Sequence, residues 1–397
     1  MFFAVGSVGL RSSSFDLLVK WITFALPVIL ILLGAWGIWK KAPYALLLPA
    51  LVLSGGVIFY LVRDDPVRPP PPNLGMITPP DSASYGAYRW YLKKDPHSRI
   101  NEFKGKPELP HFPADHAKWA EFAAQHRQVF TQAVANDTLG RDWIEAMARA
   151  EPEGIYPPPV EASGAGILAY APVRYITDAR AGYAQVLMLD QRDDEAAALL
   201  VPVLRASYHF ERGGALLVTA AVAVAIQRRT YNQLELLVAS GKLSPASRAS
   251  IAGVLKEAPP LSLVFDHAYL GEEAFARTGM DVLKGDYGAM VRTLVPEEKA
   301  MIPSNHFLWR LFFNPNRSER EYAEFLHEFA RNASEREMIA NQKRISAFVE
   351  EASDWRIKDP VGQLLFRVSL PAFTKLNEAF WKTEDQRVAL LQQLEKP

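Results

Sequence analysis

The sequence predicts an all-α protein built as a two-helix N-terminal transmembrane hairpin, a proline-rich spacer and a large soluble helical bundle or irregular helical-repeat domain. Three observations predict it. Two runs of nineteen residues, Trp21 to Trp39 and Tyr44 to Val62, carry no charge. The stretch that follows, RDDPVRPPPPNLGMITPPD, is dense in proline. From Ala114 onward apolar residues recur every three or four positions, and strand signals are nearly absent.

At about 1.5 Å of rise per residue, each apolar run reaches roughly 28 Å as a helix, close to the hydrocarbon thickness of a bilayer. Only a helix or a closed barrel satisfies its own backbone there. Trp21, Trp36 and Trp39 lie near the ends of the first run and Tyr44 and Tyr60 near those of the second, with Lys20, Lys40, Lys41 and Arg63 at the polar boundaries. Gly34 and Gly37, with Ser54, Gly55 and Gly56, are the small residues expected to let the two spans approach closely, or to receive a further membrane subunit. The run after Lys20 lacks a small-residue cleavage site, which favours an uncleaved anchor over a signal peptide.

The turn from Lys40 to Pro43 holds a cationic doublet, which retains it in the cytoplasm and sends the large domain outward. Arg11, Lys20, Arg63 and Arg68 on the flanks oppose that orientation. The doublet is the denser site and large downstream domains cross largely regardless of charge, so an inner-membrane protein with an extracytoplasmic domain is the expectation.

Residues 63–81 cannot form helix or sheet ladders and favour polyproline II, a semi-rigid spacer reaching up to ~60 Å at roughly 3.1 Å per residue. The alternative is a proline-rich docking motif. Next comes SASYGAYRWYLKKDPHSR, in which Tyr85, Tyr88, Trp90 and Tyr91 alternate with Arg89, Lys93 and Lys94. This is either a first helix with snorkelling cations or a partner-docking segment, since Tyr, Trp and Arg are enriched at interface hot spots.

Trp119, Phe122, Ala123, His126, Phe130 and Ala133 fall on one face of an expected helix, with a break suggested near Gly140, and further helices are expected over Ile167 to Asp190, Asp193 to Phe210, Ala215 to Ser240, Ser244 to Glu257, Leu261 to Leu283, Ser318 to Glu351 and Val361 to Leu394. Ala215 to Ile226 is apolar on all sides yet too short to span a bilayer, so it reads as a buried central helix. Gly241 is placed to cap one helix, Ser244 to open the next, and Ser318 with Glu321 to form a capping box after the turn Asn314, Pro315, Asn316. The expected organisation is a tail (1–20), the hairpin (21–62), the linker (63–81), a first helical segment (82–152) and a main helical domain (153–397).

The segments AGYAQVLMLDQRDDEAAALLVPVLRASYHF, LLVASGKLS, FFNPNRS and SLPAFTKLNEAFWKTEDQRVALLQQLEKP together resemble a group of bacterial membrane-anchored helical proteins. The resemblance implies a helical, envelope-associated bacterial protein. It implies no activity and no functional residue.

Lys plus Arg and Asp plus Glu are equal at 44 each, without a basic block, which argues against nucleic acid as a partner. The absence of cysteine excludes a disulfide framework, an iron–sulfur cluster, a thiolate zinc site and a cysteine nucleophile. Neither a P-loop nor a G-x-S-x-G elbow occurs. Gly164, Gly166 and Ala169 spell G-x-G-x-x-A, but three prolines precede them where a dinucleotide site requires a buried strand.

Glu324 and His327 form half of a di-metal bundle motif without its second half, so a solvated face is favoured. His111, Asp115 and His116 lie in a proline-flanked loop and read as surface residues rather than metal ligands. Arg174 and Asp178 have the spacing of a helical ion pair. No catalytic, cofactor or metal residue is therefore assigned. The expected function is non-catalytic: a membrane-tethered helical protein, embedded in the lipid bilayer, that binds or positions a protein partner at the envelope. The alternative is an anchored enzyme, such as a hydrolase, with a site assembled from distant residues such as Asp266, His267, Glu324 and His327.

Overall fold

The computed structural model describes residues 52, 66, 108–137, 140, 141, 144, 170–213, 217–285, 314–334 and 360–395. Every element among the described residues is helical, as the sequence periodicity requires. After a single 3-10 turn at His116–Lys118 come α1 (Trp119–Gln125), α2 (Arg127–Ala135), α3 (Tyr170–Leu189), α4 (Asp193–Gly213), α5 (Leu217–Ser240), α6 (Pro245–Lys256), α7 (Leu261–Gly285), α8 (Pro315–Ser334) and α9 (Pro360–Glu395).

The chain divides into two compact units. Of the described residues, the first unit holds 52, 66, 276–285, 314–325 and 360–374, and the second holds 108–144, 170–213, 217–275, 326–334 and 375–395. Among the described residues no helix is long and apolar enough to cross a membrane. The two expected spans lie outside those residues except for Val52, which is helical and exposed. Gly34, Gly37, Ser54, Gly55 and Gly56 lie outside them, as do Tyr85, Tyr88, Trp90 and Tyr91, Gly164, Gly166 and Ala169.

In the second unit the core is a continuous apolar cluster. Leu187 of α3, Leu200 and Leu204 of α4, Leu234 and Leu237 of α5, Ile251 and Val254 of α6, and Leu390 and Leu394 of α9 contribute to it. Burying an aliphatic side chain of this size contributes about 1.5–3 kcal/mol. The stretch 217–226 behaves as its all-round apolarity demands: only Ala225 is exposed, while Ala220, Ala223, Val224 and Ile226 are buried.

Turn chemistry aims the helices. At the end of α3 the Gln191 N–H donates to the Met188 carbonyl (3.0 Å) and the Arg192 N–H to the Leu187 carbonyl (2.9 Å). That is a Schellman ending with Gln191 in the left-handed position, at φ 59°. α5 ends at Gly241, φ 69°, and Ser244 caps α6 by accepting the Ser247 N–H at 3.2 Å. The same corner is tied to the start of α4, because the Ser240 hydroxyl donates to Asp193 (2.6 Å) and the Ser244 N–H to Asp194 (2.9 Å).

Two sequence expectations shift. The helix expected to run unbroken through 126 divides at His126, whose φ is −109°. Its N–H still donates to the Phe122 carbonyl, and its ring lies edge-on to that of Phe122, 4.7 Å away. The capping box at Ser318 and Glu321 does not start α8. The helix begins at Pro315, whose fixed φ suits a first position, and the Ser318 N–H already donates to the Asn314 carbonyl at 2.9 Å. Ser318 is fully buried, and Glu321 pairs with Arg317 at 2.7 Å.

Candidate functional site

Four segments of the second unit converge on a crevice: Tyr208 and Glu211 from α4, Gln227 and Tyr231 from α5, Ala258 and Pro259 before α7 with its first residue Leu261, and Phe380, Thr383, Glu384 and Arg387 from α9. The crevice encloses about 250 Å³ of space, solvent at its mouth included, and inside has room for about one water molecule. That is below the range of pockets that enclose an organic ligand.

The helical period explains how the polar lining arises. Tyr208 and Glu211 are three apart on α4, Gln227 and Tyr231 four apart on α5, and Phe380, Thr383, Glu384 and Arg387 fall at three- and four-residue steps on α9. The Tyr208 and Tyr231 hydroxyls share a 2.6 Å hydrogen bond, and burial pushes both phenols above their ordinary value. Gln227 Nε2 donates to Glu211 Oε2 at 2.6 Å. Glu211 is 3% exposed, and burial pushes its carboxyl up to about 8, with Glu384 adding and the Gln227 hydrogen bond, Arg212 and Arg387 opposing. At neutral pH this carboxyl is protonated.

Each of the three guanidinium nitrogens of Arg387 makes a hydrogen bond. Its Nε and Nη2 donate to the two oxygens of Glu384 at 2.8 and 2.6 Å, and Nη1 donates to the Leu255 carbonyl at 2.8 Å. Thr383 donates to the Ala379 carbonyl of its own helix at 2.7 Å. The arrangement can hold a proton and order a water. It presents no nucleophile beside a free base.

Of the residues singled out from the sequence for an enzyme site, Asp266 and His327 come within electrostatic range of each other, while His267 bonds elsewhere and Glu324 belongs to the first unit. Asp266 is exposed while its neighbour His267 is buried and donates to the Arg212 carbonyl at 3.4 Å. Glu324 is exposed and lies 3.9 Å from Arg320. His327 does meet a carboxylate, Glu273, at 2.7 Å, and the charge of His327 also acts on Asp266, whose carboxyl burial raises and His327 lowers. Glu272, next to Glu273, accepts the Leu217 N–H at the start of α5 (3.0 Å), and burial pushes it up to about 7.

The loop histidines separate too. Asp115 caps the 3-10 turn by accepting the Ala117 N–H at 3.0 Å, and His116 bonds Asn232 at 3.2 Å, while His111 is exposed. No group of three acidic or imidazole side chains among the described residues is placed to hold a metal ion. Arg174 and Asp178 form their expected pair, at 3.7 Å, but the stronger partner of Asp178 is Arg229 at 3.1 Å, on α5. Arg229 also stacks over Phe112 and Trp119, 4.4 and 5.2 Å from the ring centroids.

Sequence reading missed Glu211, Gln227 and Tyr231. A tyrosine and a carboxylate inside otherwise apolar helical runs were the available signal, because such groups stay buried only when partnered. Compared with known proteins, the chain matches no family model, no curated protein and no solved structure.

Proposed function

We propose that the chain is a non-catalytic protein of the inner membrane, held by a two-helix hairpin, whose helical domain binds or positions a protein partner on the extracytoplasmic side. The observation that carries the reading is the pair of uncharged nineteen-residue runs followed by the proline-rich stretch 63–81. Two features agree with it. Val52 within the second run is helical and 67% exposed, and Pro66 in the spacer lies outside any helix.

The docking surface in this reading is the segment bearing Tyr85, Tyr88, Trp90 and Tyr91, and Gly34, Gly37, Ser54, Gly55 and Gly56 pack the membrane helices. Affinity isolation of the full chain in mild detergent should recover a stoichiometric protein partner. Substituting those four aromatic residues with alanine should lose it without changing the helix content. Recovery of the chain alone, under conditions that keep other envelope complexes whole, contradicts the reading.

One observation favours a second reading, an anchored enzyme such as a hydrolase: the Glu273–His327 pair at 2.7 Å, close enough to Asp266 for the charges to interact. A carboxylate-oriented imidazole is the base of many hydrolytic sites. Hydrolysis of ester or amide substrates that disappears in His327→Gln, with folding intact, would move the assignment to this reading.

A further inference from the structure

We propose that Arg205, His209 and Arg212, on one face of α4, form a binding site for a phosphate oxyanion, free or carried on a lipid headgroup. The inference goes beyond the proposed tether and partner and stands without them, since every group in it belongs to the second unit.

The helical period builds the cluster. Residues 205, 209 and 212 follow one another at steps of four and three, so their side chains share one face of α4. Ala198 and Pro202, which continue that face towards the start of the helix, carry no charge. All three basic residues are half-buried, and Arg205 keeps 34% of its side-chain surface in solvent, within reach of a phosphate group on a larger molecule.

The end of α6 meets this face. Its cap residue Glu257 accepts from Arg205 Nε and Nη2 at 2.7 and 2.8 Å, and the Glu257 carbonyl accepts from Arg212 Nη2 at 2.6 Å. Among the described residues the carboxyl groups that act on the cluster are Glu257 and Glu211, and Glu211 is protonated at neutral pH. Two guanidinium charges therefore meet a single charged carboxylate.

Donor capacity is left over as well. Among the described residues, Arg205 Nη1, Arg212 Nε and Nη1 and both ring nitrogens of His209 have no hydrogen-bond partner. The electrostatics carry the same imbalance. Burial holds the Arg212 guanidinium below its usual value in spite of Glu257. Burial, with Arg212 and Arg205, pushes the His209 imidazole down to about 4 against the pull of Glu257, so at neutral pH the ring is uncharged and donates one N–H.

An anion with oxygens on several sides completes such a set. A carboxylate offers two oxygens in one plane, and Glu257 already fills that role at Arg205. A tetrahedral phosphate can accept from both guanidiniums and the imidazole at once, through charge-assisted bonds that are stronger than neutral ones.

Calorimetric titration of inorganic phosphate into the full chain in mild detergent at pH 7, at constant ionic strength, tests the site. Binding should be saturable, weakened at least about ten-fold by Arg212→Gln, and unchanged in Lys256→Gln, whose cation is already paired with Glu395 at 2.9 Å. Glu257→Gln releases Arg205 and should tighten binding about three-fold, and a weakening in that variant contradicts the site. In nanodiscs, replacing part of the phosphatidylcholine with phosphatidic acid separates the two sources: a lowered apparent phosphate affinity identifies a lipid headgroup as occupant, an unchanged one a free phosphate. No saturable phosphate binding, or binding that Arg212→Gln leaves undiminished with helix content intact, overturns the proposal. Should that variant not fold, Arg205→Gln serves, and binding undiminished by it also overturns the proposal.

Discussion

Gln191 carries a left-handed backbone, φ 59°, at the end of α3, where two Schellman hydrogen bonds hold it. A side chain there costs on the order of 1 kcal/mol that glycine avoids. Gln191→Gly should therefore raise stability by about 0.5–1 kcal/mol in chemical denaturation, and a loss would contradict the assigned turn. Gly182 and Gly253 form a complementary pair. A Cβ on Gly182 would lie 2.2 Å from the Phe130 ring, whereas one on Gly253 meets nothing within 4 Å. Gly182→Ala should cost about 1–3 kcal/mol by overpacking, and Gly253→Ala, inside α6, should gain about 0.5–1 kcal/mol; equal effects in thermal unfolding would be inconsistent with this packing. Gly241 and Ser244 were legible in the sequence because capping is local chemistry, written within four residues. Gln191 was not, because a non-glycine left-handed residue leaves no mark in the sequence.

At the scale of elements, the helices were legible and what they enclose was not. Apolar periodicity places α3 to α7 and α9 within a few residues of their observed ends, since each helix must present one face to a core. The Ser318 capping box misled because it is a local pattern, and Pro315 supplies an earlier start that fixes the helix first. The crevice was hidden for the opposite reason: Glu211 bonds Gln227 on the next helix and lines the crevice with Glu384 of the last, and no local pattern encodes that meeting.

Its consequence for stability has a definite sign. Glu211 is raised from 4.5 to about 8 in the folded protein, so the folded state holds a proton that the unfolded chain releases earlier. The stability this proton contributes is complete below about pH 4.5 and is lost progressively as pH rises through about 8. Burial lowers the imidazoles of His209 and His267, which add stability as pH rises towards 6.5 and oppose this trend below it. Between about pH 7 and pH 8, thermal midpoints of the second unit should therefore fall, and Glu211→Gln should flatten that slope; a midpoint rising over this range in the wild type would contradict the assignment. Helices far apart in sequence are also pinned at Asn232, which donates to His116 at 3.2 Å and accepts from Gln386 at 2.6 Å. Asn232→Ala removes both bonds and should cost about 1–2 kcal/mol in chemical denaturation.

For the whole molecule, the proposed tether makes the bilayer the protein's fixed address and the spacer its reach. Deletion of residues 1–62 should release the chain from the membrane fraction at alkaline carbonate extraction, and retention of the shortened chain would assign the attachment elsewhere. The most direct test of the tether uses the absence of native cysteine. Ala42→Cys lies in the turn between the two runs and Ser82→Cys just beyond the spacer, so a hairpin puts both on known sides of one membrane. With the outer barrier made permeable, a membrane-impermeant maleimide should label Ser82→Cys in intact cells and reach Ala42→Cys only after the inner membrane is lysed. Labelling of both positions alike, with the inner membrane intact or only after its lysis, would contradict the hairpin, and the reversed pattern would place the helical domain in the cytoplasm.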